Sequence, residues 1–444
     1  MVERLMHNRE METLSREDLD AMQLLKLQKM LSHVAQTNPF YANHWKNAGV
    51  DVTKIRNLDD LRSIPMVEKS DFIADQTKHP PFGSRLGDIS KIRGRTDIYT
   101  TSGTSGQGTE IHACSKQELL IMEEMYRYGF AWAGLTPGDA VLLTLPITML
   151  AGGRVEYQGA VAADLTVYPV GNYDAARKVD HVHRFKPKAM FGSTSYFGHL
   201  ASLMGDEAKS SSVEVLLTGL EGVGLSFIKS IEEMWGAKAY DRFGCAQIRA
   251  DFMFSDEAGV GEPDRPGVLF NLDPFIIMEV LDVTTGLPVA DGEFGELVIT
   301  SLYQFDNPAV RNRLRDGAIF RKGGTTNSPR NFHGIEMCSV SRIDDVKKVK
   351  GINLYPQAVD DLVFSFGEIQ QYEVILTRGN DFTDIATIML QIKDGSSLSE
   401  RESLTKRIGA QIKAKMGINF AIEFAEKIEV SDYKARRWKD LRGN

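Results

Sequence analysis

Four short apolar runs, at 141–147 (VLLTLPI), 165–170 (LTVYPV), 189–193 (AMFGS) and 213–220 (VEVLLTGL), alternate with stretches of helical periodicity. Strands that alternate with helices are joined by βαβ crossovers, which lay the strands parallel and cover the sheet with helices on both faces. The runs at 275–283 and 295–302 differ: only the turn-rich TTGLPVADGEF separates them, so they read as an antiparallel pair that closes a β-rich part of the same unit. Upstream, Ser15 precedes charged residues and then Leu24, Leu27, Leu31 and Val34 at spacings of three and four. An amphipathic helix is expected there, capped by Ser15, stapled by Leu14 and Leu19, and unable to continue past Pro39.

With 444 residues the chain exceeds the size at which one core usually stops growing. The charged, glycine-terminated segment 341–351 (SRIDDVKKVKG) reads as a linker, and a helical and β pattern of about 100 residues follows it. The expected fold is therefore α/β: a large N-terminal domain, 1–342, with mainly parallel sheets flanked by helices plus a β-rich subdomain, then a small α+β C-terminal domain, 343–444.

Composition excludes several classes. Apolar residues at 42% and charged residues at 25% are ordinary for a globular chain. A net charge of −8 gives no general attraction for nucleic acid. Three scattered cysteines, Cys114, Cys245 and Cys338, suit a reducing compartment and no disulfide framework. The N-terminus lacks the apolar core of a signal peptide, and no run reaches the roughly 20 apolar residues that span a bilayer, which points to the cytoplasm and no membrane partner.

The most informative segment for function is 99–109, YTTSGTSGQGT. Gly103, Gly106 and Gly108 let the backbone turn close to a ligand, and the threonine and serine hydroxyls beside free amides supply the donors that a polyphosphate needs. The spacing is neither a Walker loop nor the dinucleotide fingerprint.

The segment TSGTSGQGT resembles the Ser/Thr/Gly-rich signature of the acyl-adenylate-forming superfamily. With LSHVAQTNPFYANHWKNAGVD, LAGGRVEYQG, YDRFGCAQ, DGEFGELVITSL, SRIDDVKKVKGINLYPQAVDDLV and SDYKARRWKD in order, the chain is similar to the phenylacetate-CoA ligase branch over nearly its whole length. That resemblance implies an AMP-forming acid:CoA ligase, a homodimer, that uses ATP, Mg²⁺ and coenzyme A to convert an aryl or arylacetic acid into its thioester through an acyl adenylate.

The resemblance also implies roles for individual residues. Ser102, Gly103, Thr104, Ser105 and Gly106 would hold the β and γ phosphates, with Gln107 where the branch commonly has lysine. Glu221, Tyr240, Phe243, Gly244 and Gln247 would surround the nucleotide, and Gln247 would meet Mg²⁺ through ATP where the family usually has a carboxylate. VRNRLRDG is similar to the family's YRTGD, which makes Asp316 the ribose-binding carboxylate. SRIDD resembles GRxDD, so Arg342 would contact the nucleotide and Asp344 would be the pivot of a mobile C-terminal domain. Lys434 in DYKARR is the expected catalytic lysine, set between the acid carboxylate and the α-phosphate.

The acyl pocket should draw on Met149, Gly152, Arg154, Phe191 and Tyr196, with Met149, Phe191 and Tyr196 sandwiching an aromatic ring. Arg154, Arg242 and Arg249 are either surface residues or partners for a polar or second carboxylate group on an aromatic acid. The branch often carries a cysteine-rich metal knuckle ahead of the linker, but 323–340 offers only His333 and Cys338, too few ligands for structural zinc. Two other readings stay open. One is an adenylate-forming enzyme with an amine or carrier-protein acceptor; the other is a non-catalytic nucleotide-binding paralogue, motivated by Gln107, Gln247 and the altered YRTGD segment.

Overall fold

A computed structural model describes residues 5–86, 94, 96–101, 108–262, 264–325, 328–343, 347–350, 352–354, 356–379, 383–392, 398–428 and 437–442. Helix α1 (Arg16–Thr37) begins where expected: the Ser15 hydroxyl accepts the Asp18 amide at 3.1 Å. It ends at Asn38, and Pro39 then opens α2 (Pro39–Asn47) at its first turn, where a missing amide hydrogen costs nothing. The buried faces of α1 and α2, including Leu27, Leu31, Val34, Tyr41 and Trp45, form a satellite core with Ile277, Leu302 and Val310.

Strands β1 (Thr96–Thr100) and β2 (Ile111–Ser115) pair antiparallel as the two arms of a hairpin, which sets Thr101 beside Glu110. Ser115 ends β2 and caps α3 (Lys116–Trp132), with Glu118 completing a capping box. The double duty of Ser115 hides β2 in the sequence, because the helical pattern starts one residue later.

Next come β3 (Ala140–Leu143), α4 (Ala151–Ala162), β4 (Thr166–Pro169), α5 (Ala175–Phe185), β5 (Ala189–Phe191), α6 (Thr194–Met204), β6 (Val215–Leu217), α7 (Leu225–Trp235) and β7 (Lys238–Tyr240). The five strands form one sheet in the order β4-β3-β5-β6-β7, and every pair is parallel. All four apolar runs supply a strand, although each strand is shorter than its run. The connection from β4 to β5 crosses β3, which puts the topological switch point between β3 and β5, at whose carboxyl ends ligands bind in open α/β sheets.

Asp241 alone separates β7 from β8 (Arg242–Cys245), so the chain passes from the parallel sheet to an antiparallel one inside the YDRFGCAQ motif. That second sheet adds β9 (Ala250–Ser255), β10 (Val268–Asn271), β11 (Ile276–Leu281), β12 (Phe294–Ser301), β13 (Asn312–Arg321), β14 (Gly334–Glu336) and β15 (Ser341–Arg342). Its order is β11-β12-β13-β14-β10-β9-β8, with β15 on β13. The expected antiparallel pair is β11–β12, in register from Ile276–Ser301 to Leu281–Glu296.

The supposed linker is partly structured. Its first two residues, Ser341 and Arg342, pair with Gly317 and Asp316, and Lys347–Val349 forms a small hairpin with Ile352–Leu354. A charged composition concealed these strands because their pairing is made by backbone groups. Beyond them, α8 (Pro356–Phe364), β18 (Ile369–Arg378), β19 (Asp384–Ile392), α9 (Leu398–Met416), β20 (Ala421–Phe424) and β21 (Trp438–Asp440) make an α+β unit; the preceding hairpin strands are β16 and β17. Its sheet runs β20-β19-β18-β21, antiparallel in the middle and parallel at both edges. Among the described residues no helix is long and apolar enough to cross a membrane.

Candidate functional site

The foot of the hairpin is pinned on both sides. The Thr101 amide donates to the Glu110 carbonyl at 3.1 Å, the Glu110 amide donates to the Thr101 hydroxyl at 2.9 Å, and the Thr100 amide reaches the Met149 carbonyl at 2.9 Å. Ser102, Gly103, Thr104, Ser105, Gly106 and Gln107 lie outside the described residues, as do Asp344 and Lys434.

Directly behind the hairpin foot sits a polar group that the sequence reading missed. Glu110 is 1% exposed, and its carboxylate accepts His112 Nε2–H at 2.9 Å and the Gln247 amide at 2.9 and 3.2 Å. His112 Nδ1 accepts Arg85 Nη2 at 2.9 Å, which fixes the imidazole tautomer with its proton toward Glu110. Burial pushes the His112 pKa down to about 4, so the ring is neutral. Burial alone would raise Glu110, but the His112 hydrogen bond, with Arg85 and Lys69 nearby, outweighs it and holds the carboxyl below its ordinary range. The signal in the sequence was the pair of polar residues, Glu110 and His112, at alternate positions straight after the glycine loop.

The YDRFGCAQ segment brings its residues to the same place. Gly244 has no room for a side chain, since a Cβ there would lie 2.5 Å from the Ala250 carbonyl oxygen, and the β8–β9 register shifts between Phe243 and Gly244. Phe243 packs edge-on against Phe252 at 5.8 Å, and Tyr240 is half-buried, its hydroxyl pushed up to about 12 by burial. Burial also raises the Cys245 thiol to about 12, reinforced by the charges of Asp316 and Glu110, which keeps it from acting as a nucleophile.

Asp316 and Arg342 are directly opposed on β13 and β15, and Arg342 Nη1 donates to Asp316 at 3.3 Å and to the Leu314 carbonyl at 2.9 Å. Gln247 thus meets Glu110 from 137 residues away, and Asp316 and Arg342 meet each other across β13 and β15. Glu221 lies elsewhere in this neighbourhood: its carboxylate accepts the Ser195 amide at 2.6 Å and hydroxyl at 2.9 Å, tying the end of β6 to the start of α6.

The expected acyl segments follow the carboxyl ends of β3, β5 and β6, around the switch point. Ile147, Met149 and Leu150 are 41%, 52% and 41% exposed there. Gly152 and Gly153 break α4 at its start, and Gly153 has φ of 80° with the Pro146 carbonyl 2.3 Å from where a Cβ would be. Tyr196 accepts Lys178 Nζ at 3.0 Å.

Phe191 departs from the expectation. It is 1% exposed, enclosed by Tyr126, Phe130 and the Arg242 guanidinium at 3.8 Å from its ring, so it belongs to the core and makes no sandwich with Met149. The arginines depart as well. Arg242 bridges Glu156 at 2.9 Å and Asp251 at 2.8 Å, and Arg249 is fully buried against Glu118 and Asn307. Both are internal counter-ions, neither surface charges nor pocket groups. Arg154 faces the hairpin, pairing with Asp97 at 2.9 Å and donating to the Ile98 carbonyl at 3.0 Å. An open cleft lined by Arg62, Glu68, Asp71, Arg311 and Arg313 lies at the far end of β13, where Arg311 and Arg313 are spent on Glu279 and Glu296.

Comparison with known proteins agrees with this geometry. Residues 98–305 match the AMP-binding enzyme family and residues 351–442 match the AMP-binding enzyme C-terminal domain. The chain is 26% identical to a phenylacetate-coenzyme A ligase of Thermus thermophilus over 99% of this chain and 100% of that one. It is 24% identical to the phenylacetate-coenzyme A ligase of Escherichia coli over 97% of both. The fold matches a crystal structure of 2-hydroxyisobutyryl-CoA ligase with a TM-score of 0.87 at 22% identity, covering 98% of this chain and 93% of that one. The chain belongs to the acyl-adenylate-forming superfamily of AMP-binding enzymes, in its phenylacetate-CoA ligase-like branch.

Proposed function

We propose that this protein is an AMP-forming acid:CoA ligase acting on an aryl or arylacetic acid. The observation that carries the reading is the contact between Glu110, at the foot of the glycine-rich segment, and Gln247 of the YDRFGCAQ segment, with Asp316 and Arg342 opposed on β13 and β15. Asp316 would accept the ribose hydroxyls, Tyr240 and Phe243 would flank the adenine, and residues 102–106 would wrap the β and γ phosphates. Lys434 would lie between the acid carboxylate and the α-phosphate.

In the first step the acid oxygen attacks the α-phosphorus and pyrophosphate leaves. In the second, the thiol of coenzyme A attacks the acyl carbonyl and AMP leaves. Neither step needs an enzymic nucleophile, consistent with the high thiol pKa at Cys245. Rotation of residues 343–444 about Asp344 would exchange the lysine for the thiol channel between the steps. The Gln247 amide oxygen is a hard donor that suits Mg²⁺, which would neutralise the phosphate charge.

The exposed apolar side chains Ile147, Met149 and Leu150 at the switch point favour an aryl acid. Amine or carrier-thiol acceptors remain the alternative, and a homodimer is the assembly we propose. Pyrophosphate release is expected with ATP, Mg²⁺ and one member of a panel of aryl, arylacetic and aromatic dicarboxylic acids, with thioester accumulating only when CoA is supplied. Release without thioester would move the acceptor to an amine or carrier, and silence across the panel from folded protein would support the non-catalytic reading.

A further inference from the structure

The Gln247 side chain is oriented by its neighbour. A carboxylate can only accept, so the two contacts from Gln247 to Glu110, at 2.9 and 3.2 Å, must come from the amide nitrogen. The amide oxygen is therefore turned away from Glu110, and it accepts no hydrogen bond among the described residues. The Glu110 carboxylate is held on its other side by His112 and has Lys69 Nζ 3.9 Å away, while its backbone amide is fixed to Thr101. Glu110 also stands at the foot of the hairpin, immediately before β2 and beside Thr101.

Resting on the ligase reading above, we infer that Glu110 is a positioning residue for magnesium-ATP: it holds Gln247 with the amide oxygen presented to the metal, and it supplies from behind the negative charge that position 247 lacks. The hydrogen-bonded carboxylate polarises the amide, so a neutral side chain coordinates as a stronger donor than an amide alone. The charge has moved from the residue that faces the metal to the one that orients it.

This arrangement makes an unusual demand. Restoring the family's carboxylate with Gln247→Glu would set two carboxylates face to face across a buried contact, losing the hydrogen bonds and turning attraction into repulsion. Moving the amide to the other side with Glu110→Gln/Gln247→Glu recreates the pair with its partners exchanged.

The test is calorimetric binding of ATP in Mg²⁺ and in EDTA, with folding of each variant checked by thermal denaturation. Wild type should bind ATP more tightly with Mg²⁺. Glu110→Gln and Gln247→Glu should each lose about tenfold or more of that magnesium-dependent gain, with ATP affinity in EDTA little changed, and the double exchange should recover it. Magnesium-dependent affinity in Gln247→Glu equal to or above wild type, or an unaffected Glu110→Gln, overturns the inference while leaving the ligase reading intact. Folded wild type that binds no ATP under either condition overturns both.

Discussion

Replacing Lys434 by alanine is expected to lower acid-dependent pyrophosphate release by about 100- to 1000-fold, the range seen when a single charged or hydrogen-bonding group is removed from a developing oxyanion. Two anions must meet for the acid to reach the α-phosphorus, and a cation between them both permits the approach and steadies the charge of the transition state. Thiol attack on a finished adenylate has no such need. Thioester formation from acyl adenylate supplied directly should therefore stay within a few-fold of wild type, a split that separates loss of a reacting group from loss of fold. The segment is anchored just past the lysine: Arg437 is buried between Phe227 and Phe364 and near Asp360, and its carbonyl accepts the Val374 amide at 2.6 Å. Equal loss of both half-reactions would assign Lys434 a structural part instead.

The largest effect on stability should come from Arg242→Met. Arg242 is 4% exposed and lies between Glu156 and Asp251, with further bonds to the carbonyls of Leu217 and Thr218. Removing it strands two buried carboxylates, which costs about 3–5 kcal/mol when one partner of a buried pair is lost. Burial already lifts Glu156 to about 7 against the opposing pull of Arg242, and without the guanidinium that pKa rises further. A carboxyl whose folded pKa is raised makes the fold more stable below its unfolded pKa, and that stability is lost as pH rises through the folded value. The penalty of Arg242→Met should therefore be smaller at pH 5, where Glu156 is protonated in both proteins, than at pH 8, where it ionises in the wild type, and it should keep growing up to the variant's own higher pKa. Urea denaturation at the two pH values checks this, and a pH-independent penalty would mean that the carboxylates find other partners.

The α/β character was legible because strand and helix periods are local properties, as were the Ser15 cap and the β11–β12 pair. What escaped the sequence was set by distant partners. Arg242 meets Glu156 from 86 positions away and Gln247 meets Glu110 from 137 away, so no local pattern distinguishes a buried arginine from a surface one. Phe191 was misjudged for the same reason, since the rings that enclose it come from α3. The linker strands escaped because backbone pairing tolerates charged side chains. Within the nucleotide site, the motif residues were legible by resemblance, but the supporting group of Glu110, His112 and Arg85 needed the fold.

The most direct test of the acyl-adenylate chemistry uses an acid labelled with ¹⁸O in its carboxylate, together with ATP, Mg²⁺ and CoA. The attacking acid oxygen becomes the bridge to phosphorus and departs with AMP when the thiol attacks the carbonyl. AMP carrying one ¹⁸O, with the thioester keeping the other, is the predicted result. Unlabelled AMP, or ADP with the label in inorganic phosphate, would contradict it.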